Sequence, residues 1–288
     1  MEFKRCDDLD EALDSLSELG DAAQVLAGGT DVMIQLNLGE IAAETLVHIE
    51  RVAGIGSISE GPEFAIGSLA THRELAQSAS VRERYRSIAY AASLVGGWQT
   101  QAVGTIGGNV CNASPAADLL PPLLIHNATV QLASKERGKR DLPLSEFVVG
   151  RRTTTREPDE LLTGFTLDQP RERTADVYKK VGRRGAMEVA IVGVAVRLSM
   201  DQDGIIDDAR IAVCSVAPTP FRSHVAEQVL QGTQGGNEEV AAAATLVLEQ
   251  ADPIDDARAT ARYRTMVLPR ILQSAVAECR AHALGNPA

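Results

Sequence analysis

Two glycine-centred turns constrain this chain more than any other feature of its sequence. The first, Ala27-Gly28-Gly29-Thr30-Asp31, lies between the apolar runs 24–27 and 32–36, and the second spans residues 104–109. Glycine lets a backbone approach a pyrophosphate closely and direct successive N–H groups at it, while Thr and Asn side chains add further donors. Neither turn matches G-x-G-x-x-G or G-x-x-x-x-G-K-[ST], so a Rossmann or P-loop site is poorly supported. Taken alone, the first turn is typical of an ordinary strand-to-helix connection.

Composition narrows the class of protein. The chain has 288 residues, of which 44% are apolar and 23% charged, values typical of a folded globular protein. Its formal net charge of −11 argues against nucleic acid or an anionic membrane as the main partner. No apolar run approaches the ~20 residues that span a bilayer, and the first residues carry no apolar signal core. We therefore expect a cytoplasmic protein without a membrane span.

The metal-ligating residues are scattered. Cys6, Cys111, Cys214 and Cys279 lie far apart and form no C-x-x-C pair, and the five histidines share no ligand spacing. We therefore expect neither a zinc site nor an iron–sulfur cluster in this chain. Any redox chemistry would need an organic cofactor. No Ser-His-Asp or Cys-His arrangement is evident either, so no catalytic side chain is assigned.

Hydrophobic periodicity and capping signals predict alternating helices and strands. Asp8 and Glu11 form a capping box before a helix over 8–19, Thr71 and Glu74 open a short helix, and Ser80 and Glu83 open a longer one. Residues 201–204 suit a hairpin between two β-rich runs. Further strands are expected at 24–27, 45–49, 64–69, 129–133 and 160–167, and C-terminal helices at about 222–231, 237–250 and 259–283, with Asn237 as a cap.

The segment 101–122 differs from these elements in its sequence pattern. It is small, glycine-bearing and apolar enough to be buried, yet it has no helical or strand period. We expect irregular buried backbone there, for which a bound ligand is one source of hydrogen-bond partners. Trp98, just before it, is expected to be a core anchor, and Cys111 a small buried filler.

Together with Ser114-Pro115-Ala116-Ala117-Asp118, the two turns resemble the FAD-binding medium subunit of the molybdenum hydroxylases, relatives of carbon monoxide dehydrogenase and of the flavin domain of xanthine dehydrogenase. Residues 178–184 and the Tyr-Arg pair within 261–264 resemble later signatures of the same family. The resemblance implies an α+β chain with a two-subdomain FAD-binding (PCMH-type) fold. That domain would cover residues 1–170, split near 55–60, and a C-terminal antiparallel sheet with helices would cover 175–288.

The resemblance also implies which residues bind FAD. In the family, the first turn wraps the pyrophosphate and the second completes its cradle. Asp118 matches a ribose-binding aspartate, although a helix N-cap is an alternative role that can coexist. Carried onto this sequence, the predicted FAD contacts are Leu26, Ala27, Gly28, Gly29, Thr30, Asp31, Val32, Thr105, Gly108, Asn109, Asn112, Ser114, Asp118, Leu162 and Lys179.

Leu162 and Lys179 match positions that line the isoalloxazine ring in relatives. An ammonium near the pyrimidine end would stabilise the negative charge of reduced flavin. A solvated strand lysine beside Lys180 is the alternative interpretation of Lys179. Val95 stands where some relatives carry an aromatic residue over the ring, which leaves the shape of that part of the pocket open.

By the same resemblance, the chain would be one subunit of an oxidoreductase. A large subunit would hold the molybdopterin cofactor and hydroxylate the substrate, and a small subunit would carry two 2Fe–2S clusters. The flavin would receive the electrons and pass them to an external acceptor, with the whole assembly a dimer of heterotrimers. Two alternatives remain open: a stand-alone FAD oxidoreductase and a flavin-free assembly paralogue. The sequence names neither the holoenzyme substrate nor the acceptor.

Overall fold

The computed structural model describes residues 1–185 and 187–285. These residues form two compact units, each built from several chain segments. Unit 1 comprises Met1–Glu74, Gly97–Ala113 and Ala128–Asp168, and unit 2 comprises Leu75–Gly96, Ser114–Asn127 and Gln169–Ala288. Residues 286–288, the end of the expected C-terminal domain, lie outside the described part of the chain.

Helices and strands alternate along the chain, which confirms the predicted α+β class. The strands are β1 (Glu2–Arg5), β2 (Ala23–Leu26), β3 (Thr45–His48), β4 (Ile58–Glu60), β5 (Phe64–Gly67), β6 (Thr129–Ser134), β7 (Gly138–Pro143), β8 (Val148–Gly150), β9 (Thr153–Thr154), β10 (Leu161–Leu167), β11 (Thr174–Val181), β12 (Val192–Met200), β13 (Ile206–Cys214) and β14 (Phe221–Arg222). The helices are α1 (Leu9–Leu19), α2 (Val32–Leu38), α3 (His72–Gln77), α4 (Ala79–Arg84), α5 (Arg86–Ser93), α6 (Trp98–Val103), α7 (Ile106–Cys111), α8 (Leu120–Ile125), α9 (Leu144–Phe147), α10 (His224–Leu230), α11 (Asn237–Glu249) and α12 (Ala261–Ala283).

Unit 1 contains two larger sheets. A parallel sheet has the strand order β1-β3-β2, and an antiparallel sheet has the order β4-β5-β10-β6-β7. Asp8 is the N-cap of α1, because its Oδ1 accepts from Glu11 N at 2.9 Å. The Glu11 carboxylate accepts from Asp7 N at 3.0 Å rather than from Asp8 N, so only half of the predicted capping box forms. The apolar stripe of α1 then packs on the parallel sheet through Leu13 and Leu16, which meet Val47 in one buried cluster. This packing fixes β2, and with it the start of the first glycine turn.

Unit 2 is centred on the antiparallel sheet β11-β12-β13-β14, which confirms the expected C-terminal sheet. All nine residues of β12 are buried, because helices pack against this sheet from α12, α10, α5 and α8. The predicted hairpin joins β12 to β13, with a bulge at Ser199 and Met200. The three C-terminal helices form where the periodicity predicts them, although Gly236 rather than Asn237 is the N-cap of α11.

Two local expectations are wrong. Segment 101–122 is not irregular: it contains α7 and parts of α6 and α8. Each of these helices has six residues, too few to display a 3.6-residue period, so the pattern could not indicate them. The helix expected from Ser80 is two helices interrupted at Tyr85, with Ser78 as the first N-cap.

Candidate functional site

The first glycine turn joins β2 to α2 in unit 1. Gly29 has φ +70°, in the left-handed region that glycine adopts without a steric penalty. In the described part of the chain, the backbone N–H groups of Gly28, Gly29 and Thr30 donate to no other residue. Successive free N–H groups on a glycine turn form a concave surface suited to an anion.

The second glycine turn is held by backbone pairing with residues 68–72. His72 N donates to Gly104 O at 3.0 Å, and Gly107 N donates to Ser68 O at 2.8 Å. Thr105 is the N-cap of α7, since its Oγ1 accepts from Gly108 N at 3.0 Å. Backbone pairing and the Thr105 cap therefore both hold this turn in place.

The fold brings the two turns into direct backbone contact. A Cβ atom built on Gly28 would stand 1.8 Å from Val103 O and 3.0 Å from Gly104 N. A side-chain bridge adds to this contact, because Asn112 Nδ2 donates to Asp31 Oδ1 at 3.1 Å and Gln35 Nε2 donates to Asn112 Oδ1 at 3.0 Å. Motifs more than seventy residues apart in sequence thus form one surface in unit 1.

Two polar atoms beside the second turn have no partner within the described residues. Asn109 Oδ1 is buried and accepts no hydrogen bond, and the same holds for Nδ1 of His72. An amide can accept through its oxygen and donate through its nitrogen, so Asn109 can bind a hydroxyl or a phosphate. His72 is only 3% exposed, and this burial lowers the pKa of its imidazole to about 4. His72 is therefore neutral at physiological pH and adds no positive charge to the site.

A cavity of about 250 Å³ is also lined by both turns, through Ala27, Gly28, Val103 and Thr105. Glu50 and Glu74 line the same cavity. Carboxylates repel phosphate, so this cavity does not suit an anionic group.

The remaining predicted contacts lie on other elements. Leu162 is buried in β10 of unit 1, at a bulge in the pairing with β6. Ser114, Asp118 and Lys179 belong to unit 2, whereas the other predicted contacts belong to unit 1. Ser114 Oγ accepts from Ala116 N at 3.3 Å, which orders the turn before Asp118.

Asp118 is buried in a polar cluster of unit 2. Its Oδ1 accepts from the Tyr178 hydroxyl at 2.7 Å, and its Oδ2 accepts from Lys180 Nζ at 2.7 Å. Burial raises the pKa of the Asp118 carboxyl, while the Lys180 ammonium and the Tyr178 hydroxyl oppose this rise. Burial also raises the pKa of Tyr178 well above its usual value, so its hydroxyl stays protonated and donates.

Lys179 points away from this cluster. Its Nζ lies 2.6 Å from Glu278 Oε2 on α12, and both side chains are about one-third exposed. Sequence reasoning singled out Lys179 and missed Tyr178 and Lys180. The alternation of side chains along a strand was the available signal, because it places residues 178 and 180 on one face and 179 on the other.

Three further residues singled out from the sequence are Trp98, Cys111 and Arg264. Trp98 is not a core anchor: it is 71% exposed, with the Arg73 guanidinium 5.1 Å above its ring. Cys111 is half-buried rather than fully buried, and desolvation still raises the pKa of its thiol to about 11. Arg264, in the C-terminal Tyr-Arg signature, is buried and donates from Nη1 to Ile191 O and Ser215 O, so its role is architectural.

The described residues contain no group of three His, Cys, Asp or Glu side chains placed to hold a metal ion. Among the same residues, no helix combines the length and apolar character needed to cross a membrane.

Comparison with known protein families gives matches over most of the chain. The family described as "FAD binding domain in molybdopterin dehydrogenase" matches residues 1–169, and the "CO dehydrogenase flavoprotein C-terminal domain" matches residues 176–279. The chain is 31% identical over 287 residues to a xanthine dehydrogenase FAD-binding subunit of Escherichia coli O157:H7, covering 99% of this chain and 97% of that protein.

One further similar protein and one similar solved structure come from dehydrogenases with other names. The caffeine dehydrogenase subunit beta of a Pseudomonas species is 30% identical, over 96% of this chain and 93% of that protein. Among solved structures, a chain of the carbon monoxide dehydrogenase from Hydrogenophaga pseudoflava superposes with a TM-score of 0.93 at 29% identity, covering 98% of this chain and 97% of that one.

Proposed function

Because the chain belongs to the family of FAD-binding flavoprotein subunits of molybdopterin dehydrogenases, we propose that it is the electron-transferring medium subunit of a heteromeric molybdenum hydroxylase. In this proposal, electrons released by substrate hydroxylation in a large subunit pass through the 2Fe–2S clusters of a small subunit. They then reach the flavin site of this chain and leave to an external acceptor. The observation that carries the proposal is the backbone contact between the two glycine turns.

The residues present at the turns fit FAD. Three adjacent N–H groups at Gly28, Gly29 and Thr30 lack protein acceptors, and Asn109 Oδ1 is buried without a partner. A pyrophosphate would satisfy the amides, and a hydroxyl would satisfy the Asn109 oxygen. The absence of a side chain at Gly28 keeps the two turns together, which holds these groups in place.

We assign the pyrophosphate cradle to the predicted contacts on the two turns. Residues 27–31 would donate backbone hydrogen bonds, and Thr105, Gly108 and Asn109 would complete the cradle. Asp31 and Asn112 would stabilise the site indirectly as well, since their hydrogen bond connects the turns. FAD, when bound, supplies the capacity to accept and release electrons, while the protein supplies binding, orientation and electrostatics.

The other assignments rest on the family resemblance. We propose that Leu26, Val32 and Leu162 supply apolar contacts, that Ser114 and Asp118 bind hydroxyl groups, and that Lys179 acts near the flavin ring. The ion pair of Lys179 with Glu278 is a competing interaction, so this last role needs that pair to open.

The proposal divides redox labour among subunits. The described residues offer no metal-ligand cluster, so the molybdopterin cofactor and the 2Fe–2S clusters are assigned to the large and small partners. We further propose a dimer of heterotrimers, and a FAD-binding domain over 1–170 joined to a C-terminal domain over 175–288. The match of one family to residues 1–169 supports that boundary. Four free cysteines fit a reducing cytoplasmic location.

Purification of the native complex tests this function. We expect flavin absorption bands, stoichiometric large and small subunits, and reduction of the flavin by substrate only when all three subunits are present. A colourless complex would contradict the FAD assignment. Flavin reduction by a small molecule in the isolated chain would instead support a stand-alone oxidoreductase.

A paired substitution tests the cradle itself. Asn109→Asp places a negative charge beside the proposed pyrophosphate, so the FAD dissociation constant should rise roughly tenfold or more. Asn237→Asp makes the same chemical change at an exposed position of unit 2 and should leave that constant unchanged. Equal affinities for the two variants would count against the assigned cradle.

A further inference from the structure

We propose that Tyr178 and Lys180 are positioning residues that fix the Asp118 carboxylate as the acceptor for the vicinal diol of the adenosine ribose. This inference rests on the proposed FAD function and deepens it. It assigns specific work to the Tyr178–Lys180 pair, neither member of which was among the predicted contacts.

The geometry of the cluster is that of a carboxylate held from two sides. The Tyr178 hydroxyl and Lys180 Nζ each lie 2.7 Å from a different oxygen of Asp118. The Lys180 ammonium is held in turn, because it also donates to Leu94 O at 3.2 Å. The side chains of Asp118 and Lys180 are 7% and 8% exposed, so water screens their attraction only weakly.

The capacity of the carboxylate leaves room for a ligand. Each oxygen of an ionised carboxylate can accept two hydrogen bonds. Tyr178 occupies one position on Oδ1 and Lys180 occupies one on Oδ2, and among the described residues no other donor takes the second position on either oxygen. Two adjacent acceptor positions on a fixed carboxylate match the two O–H donors of a vicinal diol.

The cluster also explains why Lys179 and Lys180 are not interchangeable. Along β11, Tyr178 and Lys180 share one face, and Lys179 lies on the face packed against α12, where it pairs with Glu278. Removing the Lys180 ammonium would leave a buried carboxylate without its counter-charge, which favours its protonated form. A protonated carboxyl would accept the diol less well. Lys179 cannot substitute, because its ammonium points to the opposite face.

The test compares two ligands on the full-length apoprotein: FAD, and a FAD analogue whose adenosine lacks the 2′ and 3′ hydroxyls. Flavin fluorescence gives the dissociation constant of each, and their ratio isolates the diol contribution. We expect the wild type to prefer FAD by about tenfold or more, since one hydrogen bond to a charged group alone is worth about tenfold and the diol can donate two. Lys180→Met and Tyr178→Phe should each reduce that preference several-fold. Lys180→Arg should largely retain the preference for FAD, and Lys179→Met should leave that preference unchanged.

The ratio separates positioning from general stabilisation. A variant that weakens both ligands equally, with the preference for FAD intact, would overturn the proposal and leave a purely structural ion pair. A wild type that binds FAD without preferring it over the analogue would also overturn it, while the FAD function stands. A wild type that binds neither ligand would refute the proposed function itself. If Lys180→Met fails to fold, Tyr178→Phe gives the same readout, since it removes only a hydroxyl.

Discussion

The contact between Gly28 and Val103 makes the most direct prediction. In Gly28→Ala, the new Cβ would stand 1.8 Å from the Val103 carbonyl oxygen. An ordinary carbon–oxygen contact is about 3.3 Å, so the two turns must separate by about 1.5 Å. Both partners are backbone atoms, and no rotamer change can relieve the overlap.

The cost of this separation follows from the size of the displacement. Overpacking a well-packed site costs about 1–3 kcal/mol, and a clash of backbone against backbone belongs at or above the upper end. A loss of about 3 kcal/mol corresponds to a fall in Tm of roughly 5–10 °C. The separation also moves the amides of the first turn relative to Asn109, so the affinity for FAD should fall by about tenfold or more.

The assay is thermal unfolding of the full-length chain together with FAD titration, with Gly61→Ala as the matched control. Gly61 is also in unit 1, but its added Cβ would meet its nearest atom, Glu63 O, at 3.5 Å. That distance is an ordinary contact, and Gly61 has no left-handed φ. If Gly28→Ala matched Gly61→Ala in both Tm and FAD affinity, the two turns would not be in contact and the proposed cradle would be wrong.

Three further predictions concern other parts of the fold. His72 has a folded-state pKa of about 4 against an ordinary value of 6.5, so the unfolded chain binds its proton first. Stability should therefore fall as the pH drops from 6.5 to 4, by up to about 3 kcal/mol from this residue, and His72→Gln should show a shallower fall in Tm. Arg264→Met removes a buried guanidinium that donates to the carbonyl oxygens of Ile191 and Ser215, and should lower the free energy of unfolding in urea by about 1–3 kcal/mol. Thr105→Val removes the cap on Gly108 N and should cost about 1 kcal/mol in the same assay, whereas Thr105→Ser should retain it.

Each of these has a clear contrary result. Parallel pH profiles for wild type and His72→Gln would mean that the imidazole titrates alike in both states. A loss below about 1 kcal/mol in Arg264→Met would show that the buried cluster is dispensable. Equal stabilities for the Val and Ser variants at Thr105 would exclude the capping role.

Local sequence signals predicted those parts of the fold that short-range contacts control. The N-cap at Asp8 and the full capping box at Thr71 form, since each needs only residues three positions apart. The hairpin between β12 and β13 and the long C-terminal helix α12 follow from period and turn chemistry in the same way. The six-residue helices at 98–125 were not predicted, because their stability comes from tertiary contacts rather than from a repeated apolar face.

The family, the α+β class and the two glycine turns could be predicted from the sequence, because residue types at fixed spacing encode them. The folded chain was needed to show that Gly28 abuts Val103, that Lys180 rather than Lys179 pairs with Asp118, and that Trp98 is exposed. The two groups of features differ in the range of the interactions that produce them. A cap or a turn is fixed by neighbours along the chain, whereas a backbone contact or a buried ion pair depends on residues that only the folded chain brings together.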